Sequence, residues 1–399
     1  MRALLRRTCV AIALLWLSGT SYATAPRRLV IKNSGAALGE TPVVIGLEQP
    51  LGSGVYNLTS TKDGTIVRAE VYEDAGKRYF AAVFPSIAAG EQTFDLSGSI
   101  KIQGIPGVKL TDEAENVAIE IFEKPFTVHH TDLGPKPILY PLMGPTDVAI
   151  TRDFPMKTVL GEDTDHPHQR SFWFTHGKVN GVDFWSELPG HGSIKQTAKL
   201  TVRTGFVVGT LRTVDDWLGP DGTKICEDER CLRVFATKGA RVFDYDVTIK
   251  ASTGPVTFGE TKEGMFGLRL ASSMDVKRKM GGKITNAEGL TDLAAWGKPS
   301  AWVDYVGPVG AETLGVAILN HPDSFRYPTG WHVRDYGLFA ANPFGGKDFG
   351  LKESGSHTVP AGESIRFRYR VILHRGDTES ARLPDAFGGY ANGVLVEFK

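Results

Sequence analysis

AKLTVRTGFVVGTLRTV, residues 198 to 214, and KICEDERCLRVF, residues 224 to 235, stand on either side of Gly219-Pro220-Asp221-Gly222. Proline presets φ and glycine enters the left-handed region without steric penalty, so that tetrapeptide is a strong turn. The flanking runs are short, rich in β-branched residues and lack a helix-length apolar stripe, and they read as strands. RVFDYDVTIKAS (241–252), FGLRLASSM (266–274), LGVAILN (314–320) and SIRFRYRVILH (364–374) repeat the pattern. No segment makes a convincing long amphipathic helix, and no helix/strand alternation runs along the chain, which disfavours doubly wound and β/α-barrel folds. The chain reads as all-β: an antiparallel β-sandwich or supersandwich main domain over residues 124–399. VVIGLE, TIVRAEVYE, YFAAVFPSI and NVAIEIFE, separated by GSG, KDG and AAGE, read as a small N-terminal β domain over 24–123, without histidine or tryptophan.

The first residues speak to compartment. Arg2, Arg6 and Arg7 precede the apolar run Thr8 to Leu17, and Ser21-Tyr22-Ala23 offers the small residues of a cleavage site. Residues 1–23 therefore read as a signal peptide, cut after Ala23 with Ala25 as second choice, and the mature chain as secreted or periplasmic. Loss of three arginines leaves 42 basic against 45 acidic residues. That balance argues against a nucleic-acid partner, and no later apolar run is long enough to span a bilayer. Cys226 and Cys231 lie five apart in one strand, roughly 16 Å and on opposite faces. A bridge between them requires a bulge or turn at Glu227 to Arg230.

All ten histidines follow Lys124, and six fall between His129 and His191. The densest stretch is DHPHQRSFWFTHGKVNGVDFW, residues 165–185. Asn180-Gly181 is a hairpin signal, predicted to pair SFWFTH with VDFWSE. In that strand Arg170, Phe172, Phe174 and His176 share one face, and Trp173 and Thr175 the other. Pro167 keeps His166 and His168 on a loop leading into it. ETKEGMFGLR (260–269), WGKPSAWVD (296–304) and WHVRDYGLFAANPF (331–344) likewise interleave charges with aromatics and glycine.

In an all-β protein this mixture suits a groove for an oligo- or polysaccharide, where rings stack on aromatics and polar groups bond the hydroxyls. The candidate catalytic residues are His166, His168, His176, Glu263, Asp183 and His332. The candidate substrate-binding residues are Arg170, Trp173, Asn180, Trp185, Lys262, Arg269, Trp331, Arg334, Tyr336 and Asn342. A metal held by His166, His168 and His176, with Asp165 or Asp183 adding oxygen, is the sharper alternative. The spacing matches no specific zinc signature, so no cofactor is assigned. There is no nucleophile elbow, phosphate loop or dinucleotide fingerprint.

KPILYPLMGP, DHPHQRSFWFTHGKVNGVDFW, TKEGMFGLR, WGKPSAWVDY, HPDSFRYPTGWHVRDYGLFAANPFG and GESIRFRYRVILHRG occur in order over roughly residues 124–376. This series resembles a secreted bacterial family of unknown function that carries the label methane oxygenase PmoA. The label names a multi-span membrane copper subunit, whereas this chain offers no span after its leader. What the resemblance implies is an exported β-sandwich protein of bacteria that live on complex polysaccharides, without an established reaction to carry over. Where the family pattern reads HPHHR, this chain has Gln169 in place of the second histidine.

The expected function is an exported carbohydrate-active enzyme, a glycoside hydrolase or polysaccharide lyase type using His and Glu acid–base chemistry; the alternative is a non-catalytic glycan-binding protein. The geometric expectation is that His166 or His168, His176, Glu263 and His332 or Arg334 line one cleft on one sheet face.

Overall fold

The computed structural model describes residues 27–100 and 104–399. Residues 1–23, read above as a signal peptide, lie outside the described residues. The Gly219–Gly222 turn forms as the sequence predicts, with Gly222 at φ 82° and Gly219 N–H donating to Thr223 O at 2.8 Å. It joins Val208–Leu218 to Lys224–Phe235 in an eight-stranded antiparallel back sheet. That sheet continues through Arg241–Lys250, Ser364–Arg375, Glu312–Asn320, Trp302–Val309 and Lys283–Asn286, with Ser193–Arg203 at its other edge.

A second eight-stranded sheet lies in front. Its order is Gly330–Val333, Leu338–Asn342, Gly264–Arg269, Phe172–His176, Ile138–Tyr140, Lys124–His130, Asn116–Ile121 and Val108–Glu113. The inward faces of the two sheets meet through aromatic pairs: Phe172 on Tyr245 at 5.1 Å, Phe266 on Tyr369 at 4.3 Å and Phe174 on Trp217 at 6.4 Å between ring centroids. Each buried ring contributes roughly 1.5–3 kcal/mol of transfer free energy, which makes this seam the main source of cohesion. The main domain is thus an antiparallel β-sandwich, and the one α-helix among the described residues, Leu383–Ala391, packs outside the seam against Trp302 and Leu319.

The seam also holds charge. Along Lys224–Phe235 alternation turns Cys226, Asp228, Arg230, Leu232 and Val234 inward, and both charged members are buried. Arg230 grips Asp228 with two bonds of 2.8 Å and lies 3.2 Å from buried Asp215, while Trp217 Nε1 donates to Asp228 at 2.7 Å. Cys231 takes the opposite face; the register from Cys226 to Cys231 is unbroken, and both thiols are free.

The N-terminal β unit is a seven-stranded sheet whose strands span Arg28–Asn33 to Gly90–Ile100, with Leu395–Phe398 as an edge strand. Its boundaries differ from 24–123. Val108–Glu113 and Asn116–Ile121 hydrogen-bond into the front sheet, and the last strand returns from the far end of the chain to pair with Arg28–Asn33. Alternating strands look alike whichever sheet they join, so sequence pattern could not place those two. The unit packs on the outer face of the back sheet: Glu70 pairs with Arg203, Asp74 with Arg212, and Tyr72 and Ala81 meet Val208 and Phe235.

Candidate functional site

The site lies on the outer face of the front sheet. In Gly264–Arg269, Phe266 and Leu268 point into the seam, so Gly267 and Arg269 point outward; in Gly330–Val333, Trp331 and Val333 point inward and His332 outward. Trp173 packs above Gly267, where a β-carbon would come within 2.8 Å of the indole, so this position admits only glycine. Trp173, Trp185, Leu338, Ala340 and Ile138 form a small outer core that supports the loops above.

The loop carrying DHPHQ is clamped from below. Arg152, fully buried, bonds the carbonyls of Phe154, Asp163 and His166 and pairs with Asp165 at 2.7 Å. Arg269, also fully buried, pairs with the same carboxylate at 2.7 Å and donates to Gln169 Oε1 at 2.6 Å. Burial opposes ionisation of Asp165, but Arg269, His166 and Arg152 outweigh it and hold the carboxyl down at about 2. Gln169 thus supplies a buried acceptor to an arginine, a task for which a protonated histidine is unsuited. The loop projects His166 and His168 outward; His166, at φ 46°, stacks on Tyr336 with centroids 5.1 Å apart and planes 6° from parallel.

Three further segments close around this loop. The 261–263 loop is pinned by Asn342, whose amide donates to Thr261 O and Lys262 O at 2.9 Å each. Asp183 accepts from Trp185 N at 2.7 Å, Ser186 N at 3.1 Å and the Ser186 hydroxyl, shaping the 183–186 turn. The result is a cleft of about 680 Å³ lined by His166, His168, Asp183, Trp185, Lys262, Glu263, His332, Arg334 and Tyr336, with Gln169, Gly177, Ser186 and Thr261 between them. Residues up to 170 positions apart meet there.

Its electrostatics are uneven. Burial raises the Glu263 carboxyl above its ordinary range, against the pull of Lys262. Burial, and after it the charges of Arg334 and Lys262, bring His332 down to about 3; burial and then Lys136 bring His168 down to about 4. Near neutral pH both imidazoles are uncharged, able to accept a proton rather than to carry one.

The model of a family of unknown function, DUF6807, matches residues 116–388, which include every residue of the cleft. The chain belongs to this family. No curated protein matches it, and no named relative supports the methane oxygenase label. Among solved structures, the galactosidase domain of the α-galactosidase-sucrose kinase AgaSK aligns over 67% of this chain and 41% of its own length, at 12% identity and TM-score 0.37. A galactose mutarotase-like protein from Lactobacillus casei aligns over 67% and 100%, at 11% and 0.31. An α-galactosidase from Geobacillus stearothermophilus aligns over 68% and 40%, at 10% and 0.32.

In this DUF6807 member several residues read from sequence as site residues do other work. His176 shares the inward face with Phe172 and Phe174: it is fully buried between Phe258 and Phe344, with Nε2 2.8 Å from Gly259 O, and its neighbour Gly177 lines the cleft instead. Arg170 forks onto Glu187, which also takes buried Lys136. Trp331 is core, donating to Ser300 O at 3.0 Å, and Trp173 lies beneath the cleft rather than in it. Arg269 and Asn342 position the loops from behind, and Asn180 fastens its turn to Pro255 and Thr257. From WGKPSAWVD neither Lys298 nor Trp302 reaches the cleft. The Asn180-Gly181 turn forms, with both residues at positive φ, but VDFWSE does not pair as a strand; SFWFTH is held between Ile138–Tyr140 and Gly264–Arg269. With His176 inside the seam, the three histidines do not converge, and among the described residues no group of three or more His, Cys, Asp or Glu is placed to hold a metal ion.

Sequence reasoning missed Arg152 and Lys136 altogether. Each is a long cation in a polar-looking stretch, and nothing local distinguishes a buried one from a solvated one.

Proposed function

We propose that the protein is an exported carbohydrate-active enzyme that cleaves or rearranges a glycosidic linkage in an oligo- or polysaccharide. The observation that carries this reading is the presence, in one cleft, of a carboxyl held above its usual range beside imidazoles held below theirs. Environments that push two titratable groups apart in opposite directions divide the roles of acid and base between them. Glu263 keeps its proton to higher pH than a free glutamate and acts as donor to the leaving oxygen. His168 is unprotonated near neutral pH and acts as acceptor, from water in hydrolysis or from a sugar carbon in elimination. The stacked His166–Tyr336 pair supplies flat surface for a pyranose ring, backed from beneath by the buried Trp185. The volume falls within the span of small-ligand sites.

The test is an assay of the mature protein on a broad glycan panel, reading new reducing ends and the ultraviolet absorbance of unsaturated products. Turnover on at least one glycan is expected, lost in Glu263→Gln and His168→Ala while that glycan still binds. Binding without turnover by the unsubstituted protein identifies a glycan-binding protein instead. Silence in both assays sinks the carbohydrate reading.

A further inference from the structure

The arginines around the cleft differ in one respect. Arg152 and Arg269 share Asp165, Arg170 holds Glu187, and Arg278 holds Asp163. Arg334, which lines the cleft itself, has no carboxylate partner among the described residues, and its Nε is buried without a hydrogen-bond acceptor. The guanidinium is nevertheless held in place. It lies 5.6 Å from the centre of the Tyr336 ring and 6.0 Å from that of Trp296, and its backbone is tied by Arg334 N to Leu338 O at 2.8 Å. Aromatic faces can steady a cation but leave its N–H edge unsatisfied.

Lys262 adds a second charge at the same cleft, with only a loose contact of 3.7 Å to Glu263. His332 lines the same cleft, its basicity lowered first by burial and then by the charges of Arg334 and Lys262. The cleft therefore carries two cations beside two carboxylates: Glu263, only loosely in contact with Lys262, and Asp183, whose oxygens already accept from Trp185 N, Ser186 N and the Ser186 hydroxyl. An arginine edge that is oriented, partly desolvated and unpaired matches a planar or tetrahedral oxyanion better than it matches neutral hydroxyls.

We infer that the cleft takes an acidic sugar, its carboxylate or sulfate oxygens held by the fork of Arg334 with help from Lys262. This rests on the carbohydrate reading above and narrows it to uronate-containing or sulfated glycans.

The experiment uses the mature, isotope-labelled protein and three kinds of probe. These are trimers of galacturonate, glucuronate and guluronate with sulfated galactan fragments, the methyl esters of the same uronate trimers, and inorganic sulfate. Calorimetry gives affinity, and the Arg334 Nε–H resonance reports occupation of the fork. Binding of an acidic trimer is expected, weakened at least tenfold by esterification. Arg334→Gln is expected to weaken it roughly ten- to hundredfold, with partial recovery in Arg334→Lys. Thermal melts show that both variants are folded. Equal binding of acid and ester overturns the acidic-sugar inference and leaves the carbohydrate reading standing. Sulfate shifting the Arg334 resonance while no acidic sugar binds, or no response to any probe, overturns the acidic-sugar inference; the carbohydrate reading is then decided by the glycan panel.

Discussion

His332 Nδ1 lies 3.9 Å from Glu263 Oε2 at the floor of the cleft, the imidazole buried and the carboxyl one-third exposed. Burial dominates both groups, raising the carboxyl and lowering the imidazole, so two groups of opposite titration behaviour share one local environment.

The pH dependence of turnover follows from this. Glu263 is raised, so its donor form is lost as pH rises through that raised value; His168 sits near 4, so its acceptor form is lost only as pH falls towards 4. A bell is expected, with an acid limb near 4 and an alkaline limb above the ordinary glutamate range. Glu263→Gln should remove the alkaline limb and lower kcat by about a hundredfold or more. An alkaline limb that survives the substitution rules Glu263 out as the donor.

His176 and His168 should separate cleanly on substitution. His176→Phe keeps an aromatic between Phe258 and Phe344 and loses one hydrogen bond to Gly259 O, for about 1 kcal/mol of stability and less than about a threefold change in kcat. His168→Ala should leave the melting temperature nearly unchanged and reduce kcat by about 10²–10⁴. Comparable losses of activity in both variants would show that the buried histidine reaches the chemistry.

Asp165→Asn removes the carboxylate shared by two buried arginines. At pH 7 the expected loss is about 1–3 kcal/mol, below the range for a fully buried pair because the Asp165 side chain is 38% exposed. The sign with pH is fixed by the depressed folded value of about 2: the ion-pair contribution is present above the unfolded aspartate value and fades as pH falls towards 2. Denaturant unfolding at pH 7 and pH 3 should show the gap between variant and parent narrowing. A gap that widens on acidification contradicts the assignment.

Asp215 behaves in the opposite sense. Burial, and the adjacent Asp228, raise it despite Arg230, so the folded protein retains a proton that the unfolded chain releases. Its own contribution to stability is then greatest in acid and declines as pH rises from the unfolded value through the folded one. Asp215→Asn, which mimics the protonated form, should raise the melting temperature at pH 8 relative to the parent and change it little at pH 5.

Strand parity was readable from the sequence. Phe172 and Phe174 face inward and Trp173 outward as alternation requires, and the same count sends His176 inward with the phenylalanines. What a period of two does not carry is the partner: the strand after the DHPHQ loop pairs with residues some ninety positions on rather than with its own hairpin continuation. VDFWSE leaves the ladder where the Asp183 side chain captures the backbone amides of Trp185 and Ser186, which are then not available to a neighbouring strand. The convergence of the 166–168, 263 and 332–334 segments was legible from their shared chemistry, whereas the supports beneath them were not. Arg152 clamps a loop by carbonyl contacts that exist only once the chain has folded.

The edge strand Leu395–Phe398 reaches across the chain to Arg28–Asn33, with Leu29 opposite Phe398 and Lys32 paired to Glu397. A ribosome releases the first of these strands long before the second exists. Until residues 395–398 arrive, one side of Arg28–Asn33 presents unpaired amides and carbonyls, a template for pairing with another chain. Closure of so long a loop adds entropy slowly with length but delays the contact, so this sheet is finished late in folding. A nascent chain therefore exposes this edge until residues 395–398 have been made, and a holdase that covers residues 28–33 over that interval would protect the sheet.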